Sequence, residues 1–155
     1  EIGAIMQIDP EEVSHLVDQA VQEMAASVAG RVMIIEDEAI IAMDIAAIVR
    51  EMGHAVIGIA STRTEANALA ASERPDLILA DIQLADKSSG IDAVNDIQRM
   101  FDGVPVIFIT AFPERMLTGE RPEPAFLITK PYSEDQVRSA VSQAMFFTST
   151  ETLTA

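Results

Sequence analysis

From Arg31 onward, short apolar runs alternate with amphipathic stretches, and this rhythm constrains the fold more than any other feature of the chain. Residues 32–35, Val-Met-Ile-Ile, have the composition of a strand buried on both faces and run straight into Glu36, Asp37 and Glu38. A helix is expected over 38–52, closed by Gly53, then a strand over 54–59, a helix over 63–72 and a third strand over 76–80. A loop holding Ser88, Ser89 and Gly90 leads into a helix over 91–101 that turns Ile91, Val94 and Ile97 inward, and a fourth strand follows over 104–110. Residues 112–124, rich in Pro and Glu, have room for one short helix at most before a fifth strand over 125–129 and the pair Lys130-Pro131. Ser133 and Gln136 stand at capping-box spacing for a last helix, whose inner face is Val137, Ala140, Val141, Ala144 and Met145. Residues 148–155 read as a polar, frayed tail. Five strands alternating with helices imply right-handed crossovers and a parallel α/β sheet covered on both faces.

The first thirty residues have a different character. They carry six acids (Glu1, Asp9, Glu11, Glu12, Asp18, Glu23) and no Lys or Arg. Asp9 followed by Pro10, Glu11 and Glu12 is a helix start, and Val13, Leu16, Val17, Ala20, Val21, Met24 and Ala25 form one apolar face after it. A shorter stripe, Ile2, Ile5 and Met6, precedes the turn, so this segment reads as helix-turn-helix. The expected division is a helical unit over 1–29, an α/β domain over 30–147 and the tail over 148–155.

Composition removes several function classes. With 49% apolar and 23% charged residues, disorder is excluded as the main state. The absence of cysteine excludes a disulfide framework, a thiolate metal site and a cysteine nucleophile. A net charge of -15, with no basic patch, disfavours nucleic acid and anionic membrane as partners. No apolar run reaches the ~18 residues of a membrane span and the first residues lack a basic signal-peptide region, so the cytoplasm is the expected compartment.

In a parallel sheet, chemistry gathers at the carboxyl ends of the strands. Those ends hold Glu36, Asp37 and Glu38, then Asp81, Thr110 and Lys130. Several carboxylates brought together need a cation, and an oxygen-rich site that keeps some waters suits Mg²⁺ better than zinc. Asp81 is placed to act as a carboxylate nucleophile toward a phosphoryl group, with the Lys130 ammonium and the Thr110 hydroxyl covering the phosphoryl oxygens.

The order and spacing of these residues resemble the receiver domains of two-component systems: the acidic pair, Asp81 after 44 residues, Thr110 after another 29, and Lys130-Pro131 after another 20. The resemblance covers residues 31–147. It implies a flavodoxin-like (βα)5 fold with strand order 2-1-3-4-5, Asp81 as phosphoacceptor, and Mg²⁺ held by Asp37, Glu36, Asp81 and the backbone carbonyl of Gln83. It also implies phosphate-binding and switch roles for Thr110, Ala111 and Lys130, room for the phosphodonor at Ala111, a cis bond before Pro131, and a sensor histidine kinase as donor. Two positions depart from the family pattern. Glu36 stands where Asp is commoner, and Leu127 occupies the place of the usual aromatic switch residue.

A narrower resemblance lies in Phe108-Ile109-Thr110-Ala111-Phe112-Pro113-Glu114-Arg115, in Leu117-Thr118-Gly119-Glu120-Arg121-Pro122-Glu123-Pro124, and in Ala80-Asp81-Ile82-Gln83-Leu84-Ala85-Asp86. These are similar to the PhyR family of general stress response regulators in alphaproteobacteria, in which a sigma-factor-like domain precedes the receiver. Residues 1–24 resemble the end of a sigma region 4 helix-turn-helix, with 12–24 in the recognition-helix position. A DNA-reading helix needs Lys or Arg to meet phosphates, and none is present. The resemblance therefore implies a sigma mimic that sequesters an anti-sigma factor of the NepR type once the receiver is phosphorylated.

Each residue also has a plainer role to be weighed. Asp81 could cap the following helix, Glu36 and Glu38 could be surface acids, Lys130 could be a turn lysine and Thr110 a branched strand residue. The charge run from Glu114 to Glu123 is either a solvated loop or a reporter of phosphorylation. His15 and His54 lack partner histidines at ligand spacing and read as surface or satisfied side chains. Other functions remain open: a stand-alone signalling receiver, a DNA-binding regulator, or a haloacid dehalogenase-like phosphatase. The last needs an acid two residues after the nucleophile, where Gln83 stands.

Overall fold

The computed structural model describes residues 30–84, 86–114 and 125–154, with side chains as far as residue 146. The expected helix-turn-helix of residues 1–29 and most of the charge run from Glu114 to Glu123 lie outside the described residues. The elements in chain order are β1 (Arg31–Ile35), α1 (Ala39–Glu51), β2 (Ala55–Ala60), α2 (Arg63–Ser72), β3 (Leu77–Ala80), α3 (Gly90–Met100), β4 (Val106–Thr110), β5 (Ala125–Thr129) and α4 (Glu134–Thr154). The strands form one five-stranded sheet in the order β2-β1-β3-β4-β5, and every neighbouring pair is parallel.

Side chains alternate across the central strands and so divide into two cores. Val32, Ile34, Leu77, Leu79, Ile107 and Ile109 face α1 and α4, meeting Ile45, Val49, Val137 and Val141. Met33, Ile35, Ile78, Ala80, Val106 and Phe108 face α2 and α3, meeting Ala66, Ala70, Val94 and Ile97. Each fully buried Ile or Leu contributes roughly 1.5–3 kcal/mol relative to exposure, which is why the central strands read as unbroken apolar runs.

Many boundaries shift by one residue from the sequence expectation, and three differences have a plain cause. β4 starts at Val106 because Pro105 has no N–H for the ladder, although its carbonyl still accepts from the Ile78 amide at 3.1 Å. β2 starts at Ala55, and His54 instead turns its ring inward, where Nδ1 accepts the Gly30 N–H at 3.1 Å. α4 continues to Thr154 where a frayed tail was expected, since nothing in residues 148–154 is a Gly or Pro that would break it. At its start the capping box closes in both directions, Ser133 N–H to Gln136 Oε1 at 2.9 Å and Gln136 N–H to Ser133 Oγ at 3.1 Å. No helix among the described residues is long and apolar enough to cross a membrane.

Candidate functional site

Sheet register determines which side chains meet. Ile35 pairs with Ala80, so the next residues, Glu36 and Asp81, emerge side by side at the carboxyl ends of β1 and β3. Two backbone bonds hold them there: the Asp81 N–H reaches the Ile35 carbonyl and the Glu36 N–H the Ala60 carbonyl, both at 2.9 Å. One strand further, Thr110 ends β4, and its carbonyl accepts the Lys130 N–H at 2.8 Å. The Lys130-Pro131 bond is cis, as the family resemblance implies.

Lys130 occupies the centre of the cluster. Its Nζ lies 2.9 Å from Asp81 Oδ2 and 3.2 Å from Glu36 Oε2. Glu36 is 2% exposed and Asp81 7%, whereas Asp37 and Glu38 are exposed. The remaining oxygens are also engaged. Asp81 Oδ1 accepts the Ile82 N–H at 2.7 Å and Glu36 Oε1 accepts the Glu38 N–H at 3.2 Å. Thr110, fully buried, accepts the Phe112 N–H at Oγ1 at 3.1 Å.

Burial pushes the Glu36 carboxyl up to about 7, against the pull of the Lys130 ammonium and the Glu38 amide and with added repulsion from Asp81. Burial alone would lower Lys130. Its hydrogen bond to Asp81 and the charges of both acids outweigh that and hold the ammonium above its ordinary value. The site thus keeps a cation in place beside two acids, one of which ionises only near neutrality.

Glu36, Asp37 and Asp81 each present a carboxylate oxygen, and these lie within 4.8 Å of one another. An all-oxygen donor set at the open end of a sheet fits a hard divalent cation. Gln83 and Ala111 are exposed at the rim of the same end. Every expected site residue therefore comes to the same end of the sheet. Asp81 does not cap the next helix, because Ser89 does so by accepting the Ile91 N–H at 3.1 Å. Leu127, in the place of the usual aromatic, is 46% exposed on β5 and pairs in register with Phe108.

Sequence reasoning missed three features around the site. Gly90 packs against the Asp81 carbonyl, Tyr132 donates its hydroxyl to Asp44 Oδ2 at 2.7 Å, and Arg63 forks onto Asp96. The glycine at the head of a helix was a usable signal. The two side-chain pairs, 88 and 33 residues apart in sequence, carried none.

Residues 32–142 match the response regulator receiver domain family. The phyllosphere-induced regulator PhyR of Methylorubrum extorquens is 60% identical over 95% of this chain and 55% of its own length. The solution structure of the PhyR receiver domain of Erythrobacter litoralis is 60% identical and covers 77% of this chain and 92% of that one, with a TM-score of 0.72. A co-crystal structure of the anti-anti-sigma factor PhyR with the anti-sigma factor NepR from Bartonella quintana is 54% identical. It covers 94% of this chain and 59% of that one, with a TM-score of 0.65. The chain spans little more than half the length of the curated relatives it matches. Receivers of this type are signalling modules rather than turnover enzymes, and the five-stranded order and the matched residues agree: the chain belongs to the response regulator receiver family and, within it, is similar to the PhyR-type regulators.

Proposed function

We propose that the chain is a phosphorylation-switched receiver of the general stress response, working in the cytoplasm, that takes a phosphoryl group from a sensor histidine kinase onto Asp81. The carrying observation is the Lys130 ammonium, within hydrogen-bond distance of both buried acids, Asp81 and Glu36. In the transfer, an Asp81 carboxylate oxygen attacks phosphorus, an acyl phosphate bond forms, and the bond to the donor imidazole breaks as that imidazole leaves. Mg²⁺ is the cation this donor set suits, held by Glu36, Asp37, Asp81 and the Gln83 backbone carbonyl, and when bound it neutralises phosphoryl oxygens. Lys130 pairs with another of those oxygens, the Thr110 hydroxyl donates to a third, and the small Ala111 leaves the donor a path. Phosphorylation adds roughly -1.5 to -2 charges, which an already acidic pocket accommodates only with these cations.

The downstream role rests on similarity to the PhyR regulators. Residues 1–29 are then the end of a sigma-like domain, residues 30–147 the receiver and residues 148–155 an extension. The modified receiver releases the sigma-like domain to sequester an anti-sigma factor of the NepR type. Direct DNA binding is not expected, because residues 1–30 hold six acids and no Lys or Arg.

The test is intact mass after incubation with acetyl phosphate, with and without Mg²⁺, in the wild type and in Asp81→Ala. One added phosphoryl group that requires both the metal and Asp81 supports the reading. Addition to Asp81→Ala, or addition indifferent to Mg²⁺, overturns it.

A further inference from the structure

The described residues of the loop between Asp81 and α3, Ile82–Leu84 and Asp86–Ser89, include Gln83. Several bonds join them. Gln83 and Ser89 form an antiparallel bridge, the Leu84 N–H reaches the Ser88 carbonyl at 3.2 Å, and the Lys87 N–H reaches the Leu84 carbonyl at 3.0 Å. Lys87 takes the left-handed conformation at φ 65° that this turn requires. Asp86 Oδ1 accepts from both the N–H and the hydroxyl of Ser88. These bonds tie the described loop residues to one another, and placing them against the strands needs an anchor outside the loop.

Arg63, the first residue of α2, supplies that anchor from two sides. Its backbone N–H donates to Ser88 Oγ at 3.3 Å. Its guanidinium forks onto Asp96 of α3, Nε to Oδ2 at 2.6 Å and Nη2 to Oδ1 at 2.9 Å. Asp96 has only 16% of its side chain exposed and also accepts from Asn67 Nδ2 at 3.0 Å. These bonds hold the Asp96 carboxyl below its ordinary range. Bidentate Arg–carboxylate pairing fixes angle as well as distance, which a single lysine bond does not. Shortly before Arg63 in the chain, the carbonyl of Ala60 at the end of β2 holds the Glu36 amide, so α2, β1 and the loop are tied together at this end of the sheet.

We propose that Arg63 is a positioning residue for the phosphorylation site: by joining Ser88 and Asp96 it fixes the loop that presents the Gln83 carbonyl to the metal. The inference rests on the metal-assisted phosphorylation proposed above. Partners one layer out from a metal commonly change its affinity by 10–100-fold, because the cation tolerates little error in ligand placement.

The experiment is a Mg²⁺ titration of the whole chain followed by NMR, in the wild type, Arg63→Ala, Arg63→Lys, Ser88→Ala and the Arg63→Ala/Ser88→Ala double variant. Amide hydrogen exchange at Leu84 and Lys87 is measured in the metal-free protein. Arg63→Ala is expected to weaken Mg²⁺ about tenfold and to speed exchange at both amides several-fold, with Arg63→Lys in between. The double variant is expected to lose less than the product of the two single losses: Arg63→Ala keeps the backbone N–H and reaches the loop only by loosening the start of α2 from Asp96, and Ser88→Ala already uncouples the loop from that start. A merely structural role lowers Tm and leaves Mg²⁺ affinity within twofold of wild type in Arg63→Ala and in Ser88→Ala, and that result overturns the proposal. A wild type that binds no Mg²⁺, with Asp37→Ala as control, overturns the reading of the site itself and this inference with it.

Discussion

Gly90 and the Asp81 carbonyl share a space that holds no side chain: a Cβ on Gly90 would stand 1.7 Å from the Asp81 oxygen and 2.8 Å from its carbon. The Gly90 N–H donates to the Ile82 carbonyl at 2.6 Å, so the start of α3 is pressed against the backbone of the residue read as phosphoacceptor. Gly90→Ala has to displace that backbone. It is expected to cost about 2 kcal/mol or more in urea unfolding and to abolish labelling by acetyl phosphate even where the protein remains folded. Gly53→Ala is the control. Gly53 has φ 95° but nothing within 4 Å of a Cβ, so strain alone should cost about 1 kcal/mol and leave labelling unchanged. Equal labelling in the two variants would refute the link between Gly90 and the site.

Much of this arrangement was legible in sequence because it is written in local signals. Val32 to Ile35 and Leu77 to Ala80 could be recognised as strands since both faces of each are buried, and the strand-end rule then placed Asp37, Asp81, Thr110 and Lys130 together. Boundaries failed where one residue's chemistry overrode the pattern, as at Pro105 and at His54. His54 itself was read as surface or satisfied, and it is buried with its ring nitrogen bonded. The pairs Arg63–Asp96 and Tyr132–Asp44 were invisible because hydrogen bonds between distant side chains leave no periodicity behind.

Glu36 gives the metal-free protein a definite pH dependence. Its carboxyl ionises near 4.5 in water and at about 7 in the folded state, chiefly through burial. Between those values the folded protein keeps a proton that the unfolded chain has released, so stability falls as pH rises from 4.5 to 7, and the loss is complete above 7. Glu36→Gln cannot lose that proton. In EDTA it should exceed the wild type by up to about 3 kcal/mol at pH 8, and the gap should close toward pH 5. Urea unfolding across this range checks it, and a gap independent of pH contradicts it.

Lys130→Ala removes the cation between two buried acids. Breaking such a pair leaves uncompensated charge, and the metal-free variant is expected to lose about 3 kcal/mol at neutral pH. Mg²⁺ should restore more stability to this variant than to the wild type, because the metal replaces a missing charge there. Asp81 should still accept a phosphoryl group, while the effect of phosphorylation on anti-sigma factor binding weakens. Thermal melts with and without Mg²⁺, followed by a binding assay on the labelled protein, test both halves. Normal signalling by Lys130→Ala sinks the role given to the lysine.

The identity of the phosphodonor is testable at α1. Ile40 is 84% exposed and Met43 68%, one turn apart on the helix that follows the acidic pair. Asp44, next to Met43, accepts the Tyr132 hydroxyl just after Lys130-Pro131, and Ile40 stands three residues beyond Asp37, so this apolar pair lies on the helix that leaves the acidic end of the sheet. A protein donor must bury whatever surrounds that end to bring its imidazole to Asp81, and a small donor needs the pocket alone. Covering each of these side chains is worth roughly 1.5–3 kcal/mol. If a sensor kinase is the donor, as proposed, Ile40→Asp/Met43→Asp is expected to slow transfer from it by at least about tenfold and to leave labelling by acetyl phosphate unchanged. Loss of both activities would mean that the substitutions damage the pocket itself. Retention of both would mean that the kinase approaches Asp81 over another surface.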